Sequence, residues 1–139
     1  MRSDDGSSVP LILLFFLLGL VLVAGTVAAS AAFLAQRDLQ SDCDGAAIVA
    51  ANALDAAGFY GSDHAGDSLP LAAGAAQSAV DAYAADAALA ETSFAVAVAA
   101  GRAQVTCSRV VRLPFGPTFG YGDGLRRTAV SDARSPYQR

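Results

Sequence analysis

Hydrophobic residues are concentrated in one stretch near the N-terminus. No charged residue lies between Asp5 and Arg37, and Val9–Val23 reads VPLILLFFLLGLVLV. A helix of about 20 apolar residues crosses a hydrocarbon layer of about 30 Å, because each residue adds about 1.5 Å. A soluble helix needs only one apolar stripe. We therefore predict a short tail at residues 1–9, a transmembrane helix at 10–36 and a following domain at 37–139.

The spacing of apolar residues after Arg37 predicts two helical segments. The long helix is expected to continue and to end at Gly58, with a stripe at Ala47, Ile48, Ala51 and Leu54. A glycine- and aspartate-rich loop is expected at residues 57–67. A second helix is expected from Ser68 or Leu69 to about Ala90, with a stripe at Ala76, Val80, Tyr83 and Ala87.

Alternating apolar residues then predict three strands. They are expected at Thr92–Ala99, Val105–Leu113 and Leu125–Ala133, with a turn at Gly101-Arg102. Short connections favour antiparallel neighbours. The predicted fold class is therefore α+β: a long transmembrane helix that continues into a small domain with a second helix and a three-stranded antiparallel meander.

Charge and composition exclude some classes of partner. The chain has 139 residues, a net charge of −4 and no lysine. A nucleic-acid partner is not expected, because phosphate binding needs a basic stripe. The basic doublet Arg126-Arg127 is better explained as a solvated strand face.

The two cysteines, Cys43 and Cys107, are 64 positions apart and form no CxxC pair. If the domain lies outside the cytoplasm, a disulfide between them is the natural interpretation. It would contribute roughly 4 kcal/mol in the chain-entropy model. The alternative is two buried, unpaired thiols.

A removable signal peptide is an alternative to a retained anchor, because Ala29-Ser30-Ala31 is an A-x-A site. The apolar region is longer than that of a usual signal peptide, which favours retention. The positive-inside rule does not decide the orientation, since Arg2 is matched by Arg37. The cysteine pair and the long polar C-terminal part favour a cytoplasmic N-terminus.

Candidate catalytic and ligand-binding chemistry is weak. Asp63, His64 and Asp67 could reach a metal ion, but a solvated loop explains them better. The sequence contains no nucleophile elbow, zinc-protease motif or phosphate-binding loop. We therefore expect no enzyme activity, no cofactor and no metal site.

Small residues recur every four positions in the second half of the apolar stretch, at Ala24, Ala28 and Ala32. Such spacing lets helices approach closely in lipid, where packing rather than hydrophobicity drives association. It predicts a helix-packing face. The alternative is that alanine is abundant throughout the chain.

The segment AFLAQRDLQSDCDGAAIVAANAL resembles the TadE/TadG-like proteins of tight-adherence (Flp-type) pilus systems. Those proteins have a glycine, a hydrophobic helix and then a segment of the type LQ-x-x-ADAAALAAA. The matching residues here are Leu39, Gln40, Asp44, Ala46, Ala47, Ala50 and Ala51, with Gly45 where alanine is usual. The resemblance covers roughly residues 3–57.

This resemblance implies a minor pilin-like subunit or an assembly factor, with the lipid bilayer and other pilus subunits as partners. Family members of the TadE type resemble prepilins, which are cleaved after a glycine that precedes a glutamate by five residues. Gly6 could be that glycine, but Leu11 stands at the fifth position. The sequence is therefore equally consistent with a permanently anchored protein and with a processed one. The competing function is a secreted, disulfide-bonded binding module released by cleavage near Ala31.

Overall fold

The described part of the chain comprises residues 8–60, 68–100 and 102–134 of a computed structural model. It contains two helices, three strands and one 3-10 turn. These elements are α1 (Val9–Tyr60), α2 (Ser68–Asp86), β1 (Thr92–Ala99), β2 (Arg102–Val111), the 3-10 turn Gly116–Phe119 and β3 (Leu125–Arg134). The α+β class and the antiparallel order β1-β2-β3 are confirmed.

The helix α1 is continuous over 52 residues. It joins the predicted transmembrane segment to the domain without a break, and it ends at Tyr60 rather than at the predicted Gly58. The remainder of the predicted loop, residues 61–67, lies outside the described residues. The domain is therefore attached directly to the apolar segment by regular helix.

The face of α1 that meets the domain consists mainly of small residues. Buried positions on this face are Leu39, Cys43, Ala46, Ala47, Ala50 and Ala51. Ile48, which was predicted in the stripe, is 58% exposed, so that part of the prediction is wrong. Alanine lets the helix backbone lie close to the sheet, whereas Ile48 follows Ala47 by about 100° around the helix axis and leaves the contact.

The helix α2 packs against the same part of α1 through Ala76, Val80 and Tyr83. Gly45 of α1 makes this approach possible, because a Cβ added there would lie only 2.5 Å from Tyr83 Oη. The predicted extension of α2 to Ala90 is wrong. Ala88 takes a left-handed conformation with φ 54, and the Leu89 N–H donates to the Ala84 carbonyl at 2.9 Å. This pattern closes a helix C-terminus and redirects the chain toward β1.

The strand β1 has the predicted bounds, whereas β2 begins and ends earlier than predicted. Ala100 adopts a left-handed conformation with φ 49, so pairing starts at once with Arg102 opposite Ala99. At the other end, Gly124 has φ 83 and approaches Val111 closely, which turns the chain into β3. The strand β3 starts at Leu125 as predicted and ends one residue later, at Arg134.

The core lies between α1, α2 and one face of the sheet. The sheet contributes Ala103, Val105 and Cys107 from β2 and Ala129 from β3, all of them buried. Phe94, Val96 and Val98 of β1 pack against this cluster. The strand alternation that the sequence shows is thus the alternation between the helix-covered face and the outer face.

Glutamine side chains on the two helices bind the free edges of the sheet. Gln77 of α2 accepts a hydrogen bond from the Val96 N–H at 3.1 Å. On the opposite edge, Gln36 of α1 donates to the Thr128 carbonyl at 3.2 Å. An exposed edge is a template for uncontrolled strand pairing, and these contacts cover part of both edges.

Candidate functional site: the membrane-proximal end of the long helix

The first part of α1 extends beyond the domain. Every large apolar residue from Val9 to Val23 is exposed, with fractions from 49% at Leu18 to 66% at Phe16 and Leu22. By length and composition, α1 is the single candidate membrane-spanning helix among the described residues. A continuous apolar surface of this size is far larger than soluble monomers expose. It fits contact with lipid.

The predicted helix-packing residues lie where the domain first meets this apolar segment. Ala32 is 8% exposed, and Ala24 and Ala28 are half-buried. Gly25, Ala28, Ala29 and Ala32 form one wall of a groove of about 240 Å³. The opposite wall comes from the β2–β3 connection and consists of Leu113, Gly116, Phe119 and Tyr121.

In this structure, therefore, the small residues accommodate a segment of the same chain. Whether another helix also packs at Ala24, Ala28 and Ala32 stays a prediction. The intramolecular contact was not predicted from the sequence. The sequence feature that could have indicated this contact is the run LPFGPTFGYG, residues 113–122, which is uncharged and rich in aromatic residues. We call this run the aromatic loop.

The aromatic loop has a closed, hydrogen-bonded backbone. The Gly116 N–H donates to the Leu113 carbonyl at 3.0 Å, and the Tyr121 N–H donates to the Gly116 carbonyl at 2.8 Å. Gly116 is required by this close approach, since a Cβ there would lie 2.7 Å from the Tyr121 carbonyl oxygen. The loop backbone is consequently a defined structural element that sets where its side chains begin.

Phe115 occupies an unusual backbone conformation in this loop. Its φ of 61 and ψ of 15 place it in the left-handed region, which costs a residue with a Cβ about 1 kcal/mol or more. Its ring is nevertheless 55% exposed. Burial within this chain therefore does not explain why a large apolar side chain stands there.

The disulfide connects α1 to the central strand β2, farther along α1 than the groove. Cys43 and Cys107 are both fully buried, and their Sγ atoms are 2.04 Å apart. Cys43 Sγ lies 3.4 Å from the Val105 carbonyl oxygen. A disulfide sulfur carries no hydrogen, so this is a packing contact rather than a hydrogen bond. The link holds the base of the apolar helix to the sheet.

Arginine side chains cluster at the same end of the sheet. Arg109 Nη1 lies 3.5 Å from Asp42 Oδ2, and its Nη2 donates to the Ala35 carbonyl at 3.5 Å. Arg127 is directly opposite Arg109 across β2 and β3. Its Nε is buried without a hydrogen-bond partner, so the predicted solvated strand face is wrong for Arg127, although Arg126 is exposed.

Two further predictions fall outside the described residues. Gly6, the possible processing site, precedes them, and Asp63, His64 and Asp67 lie in the undescribed 61–67 segment. Among the residues that the structure describes, no group of three His, Cys, Asp or Glu side chains could hold a metal ion.

Comparison with known protein families finds a similarity in the N-terminal part of the chain. The model of the Flp pilus-assembly TadE/G-like family matches residues 6–57. The match covers nearly all of α1, including Cys43 and the buried alanines, and ends before α2 and the sheet. Neither the curated proteins nor the solved structures contain a match. Over residues 6–57, this chain is therefore similar to the TadE/G-like family of Flp pilus-assembly proteins.

Proposed function

We propose that this protein is a single-pass membrane component of a tight-adherence-type pilus, acting as a minor pilin-like subunit or as an assembly factor. The observation that carries the proposal is the uncovered apolar part of α1, which passes without interruption into a disulfide-linked domain. An assembly component needs both parts: one that resides in lipid and one that meets partners outside it. The family match over residues 6–57 supports the pilus system.

The proposed topology has residues 1–9 in the cytoplasm, 10–36 in the membrane and 37–139 outside the cytoplasm. The Cys43–Cys107 disulfide supports this orientation, because disulfides persist in oxidising compartments and are rare in the cytoplasm. Protease added to the outer side of the membrane should digest the region beyond Arg37, whereas a tag at the N-terminus should survive. Protection of a C-terminal tag would show that the orientation is inverted.

The proposed role requires the apolar helix to be retained. In the secreted alternative, cleavage near Ala31 would cut within the continuous helix and remove Gly25, Ala28 and Ala29 from the groove. Phe119 and Tyr121 would then face solvent instead of the α1 side of the groove. The mass of the mature N-terminus separates the alternatives: loss of residues 1–31 supports the secreted module, and loss of residues 1–6 supports prepilin-like processing after Gly6.

The pilus role is tested by replacing small residues with large ones in α1. Ala24→Leu keeps the helix apolar but adds bulk to the proposed packing face, outside the groove-lining residues. If a partner helix packs there, filament assembly should fall while the membrane level is unchanged. Ala28→Leu should do the same and also fill the groove.

The matched control is Leu14→Ile, an isomeric change on the exposed segment, and it should leave assembly intact. Normal filaments with Ala24→Leu and Ala28→Leu would mean that the helix is a plain anchor. Detection of the chain in sheared surface filaments would favour the pilin-like subunit over the anchored assembly factor.

A further inference from the structure

We propose that the aromatic loop is a second membrane contact, whose aromatic side chains lie at the boundary between hydrocarbon and headgroups beside α1. The partner is the lipid bilayer itself. The inference rests on the proposed membrane anchoring, and it goes further by placing part of the folded domain in the bilayer surface. Four features of the described residues carry it.

The first feature is the length of the first part of α1, which is shorter than the thickness of the hydrocarbon layer. The part of α1 that precedes the groove, Val9–Ala24, has 16 residues and extends about 24 Å, whereas the hydrocarbon layer is about 30 Å thick. The polar tail before Val9 cannot extend it, since it contains Arg2, Asp4 and Asp5. Another turn of α1, about as far as Ala28, must therefore lie in hydrocarbon. The aromatic loop faces this turn across the groove.

The second feature is the chemistry of the loop surface. Phe115, Phe119 and Tyr121 are 55%, 40% and 48% exposed. No charged residue occurs between Arg112 and Asp123. Aromatic side chains are favoured at the membrane interface, because their apolar bodies and polar tips suit a region that is partly dry.

The third feature is that several backbone N–H groups of the loop donate hydrogen bonds to carbonyls of the same loop. Its Gly116, Thr118, Gly120 and Tyr121 N–H groups all donate within the loop. Pro114 and Pro117 have no N–H to satisfy. An unpaired N–H is costly where water is scarce, so this arrangement suits a segment that dips below the headgroups.

The fourth feature is the surface at the same level around the helix. Phe33 and Leu34 are 67% and 58% exposed, and no charge appears on α1 before Arg37. Exposed Arg112 and Arg126 stand at the end of the sheet just above the loop. Exposed Asp38 and Asp123 lie at the same level, so the order from the membrane outward is apolar, aromatic and then charged, which matches hydrocarbon, interface and headgroups.

The test uses tryptophan as a depth probe, because the chain contains none. The full-length protein carries a single tryptophan at Phe115→Trp and is reconstituted in vesicles of equal parts phosphatidylcholine and phosphatidylglycerol, with ordinary or brominated acyl chains. Bromine should remove about half of the emission or more, since interfacial groups lie 5–10 Å into the headgroup–acyl boundary. Tyr121→Trp is a second probe in case the left-handed position tolerates tryptophan poorly.

Two matched variants separate the possible failures. Phe16→Trp reports insertion of α1 and should be quenched, whereas Gln104→Trp, exposed near the far end of β2, should not. Quenching at Phe16 with none at either loop position would overturn the inference and leave the anchor in place. No quenching at Phe16 would refute the anchoring itself. A blue-shifted loop tryptophan that bromine does not quench would mean that protein covers the loop, which also overturns the inference.

Discussion

Removal of the disulfide should destabilise this domain strongly, because its core is built from few large side chains. Among the described residues, the fully buried side chains larger than alanine are Leu39, Val80, Val105, Cys43 and Cys107. Two of these five form the cross-link. The remaining buried positions are mostly alanines, which remove little apolar surface from water. The cross-link therefore supplies a larger share of the stability than it would in a richer core.

The magnitude follows from the length of the closed loop. With the cysteines 64 positions apart in sequence, the chain-entropy model assigns about 4 kcal/mol to the link. Persistence of α1 as helix in the unfolded state would shorten the flexible loop, but the dependence on length is logarithmic and changes the result by only a few tenths of a kcal/mol, roughly. For a domain of about 100 residues, the loss corresponds to a fall in Tm of about 20 °C.

The assay is a urea titration of the full-length protein in detergent micelles, read by proteolysis of the domain. The variant Cys43→Ala/Cys107→Ala and reductant-treated wild type should both lose about 4 kcal/mol. Reductant should have no effect on the double variant, which controls for nonspecific action. In the wild type, thiol labelling after denaturation without reductant should fail. Stoichiometric labelling of both cysteines, or a loss below about 1 kcal/mol, would refute the reasoning.

Three further predictions concern packing, the sheet edge and charge, each measured as the free energy of unfolding. Gly45→Ala should destabilise the protein by about 1 kcal/mol, because the added Cβ would clash with Tyr83. Gly74→Ala should stabilise it by about 0.5–1 kcal/mol, because the added Cβ on α2 meets open space. If both substitutions stabilise the protein, Gly45 is not needed for packing. Gln77→Ala should cost about 1–2 kcal/mol, because it leaves a β1 edge N–H unpaired; no loss would show that water replaces the side chain. Arg127→Thr should stabilise by about 0.5 kcal/mol, and less in high salt, because it relieves the like charge opposite Arg109; a loss of stability would mean that Arg127 has a favourable partner.

Local patterns in the sequence determined the elements of the fold. The uncharged run before Arg37 identifies the apolar helix, and the alternation at Phe94, Val96 and Val98 predicts β1 with its observed bounds. These features depend on residues that are neighbours in the chain and on the periods of helix and strand, so no knowledge of distant contacts is needed. The same holds for the TadE/G-like match, which rests on one helical segment.

Tertiary structure alone decided which surfaces meet. Alanine gives little directional signal, so the sequence pattern placed Ile48 in the core beside Ala47, although close packing uses Ala46 and Ala50 in place of Ile48. Left-handed Ala88 ends α2 at a position that no glycine marks, whereas Gly101, directly after left-handed Ala100, does predict the turn before β2. The aromatic loop joins α1 across about 90 positions of sequence, where only the folded sheet brings Phe119 to Ala28. Such contacts depend on the space left between packed elements, and a local pattern does not encode that space.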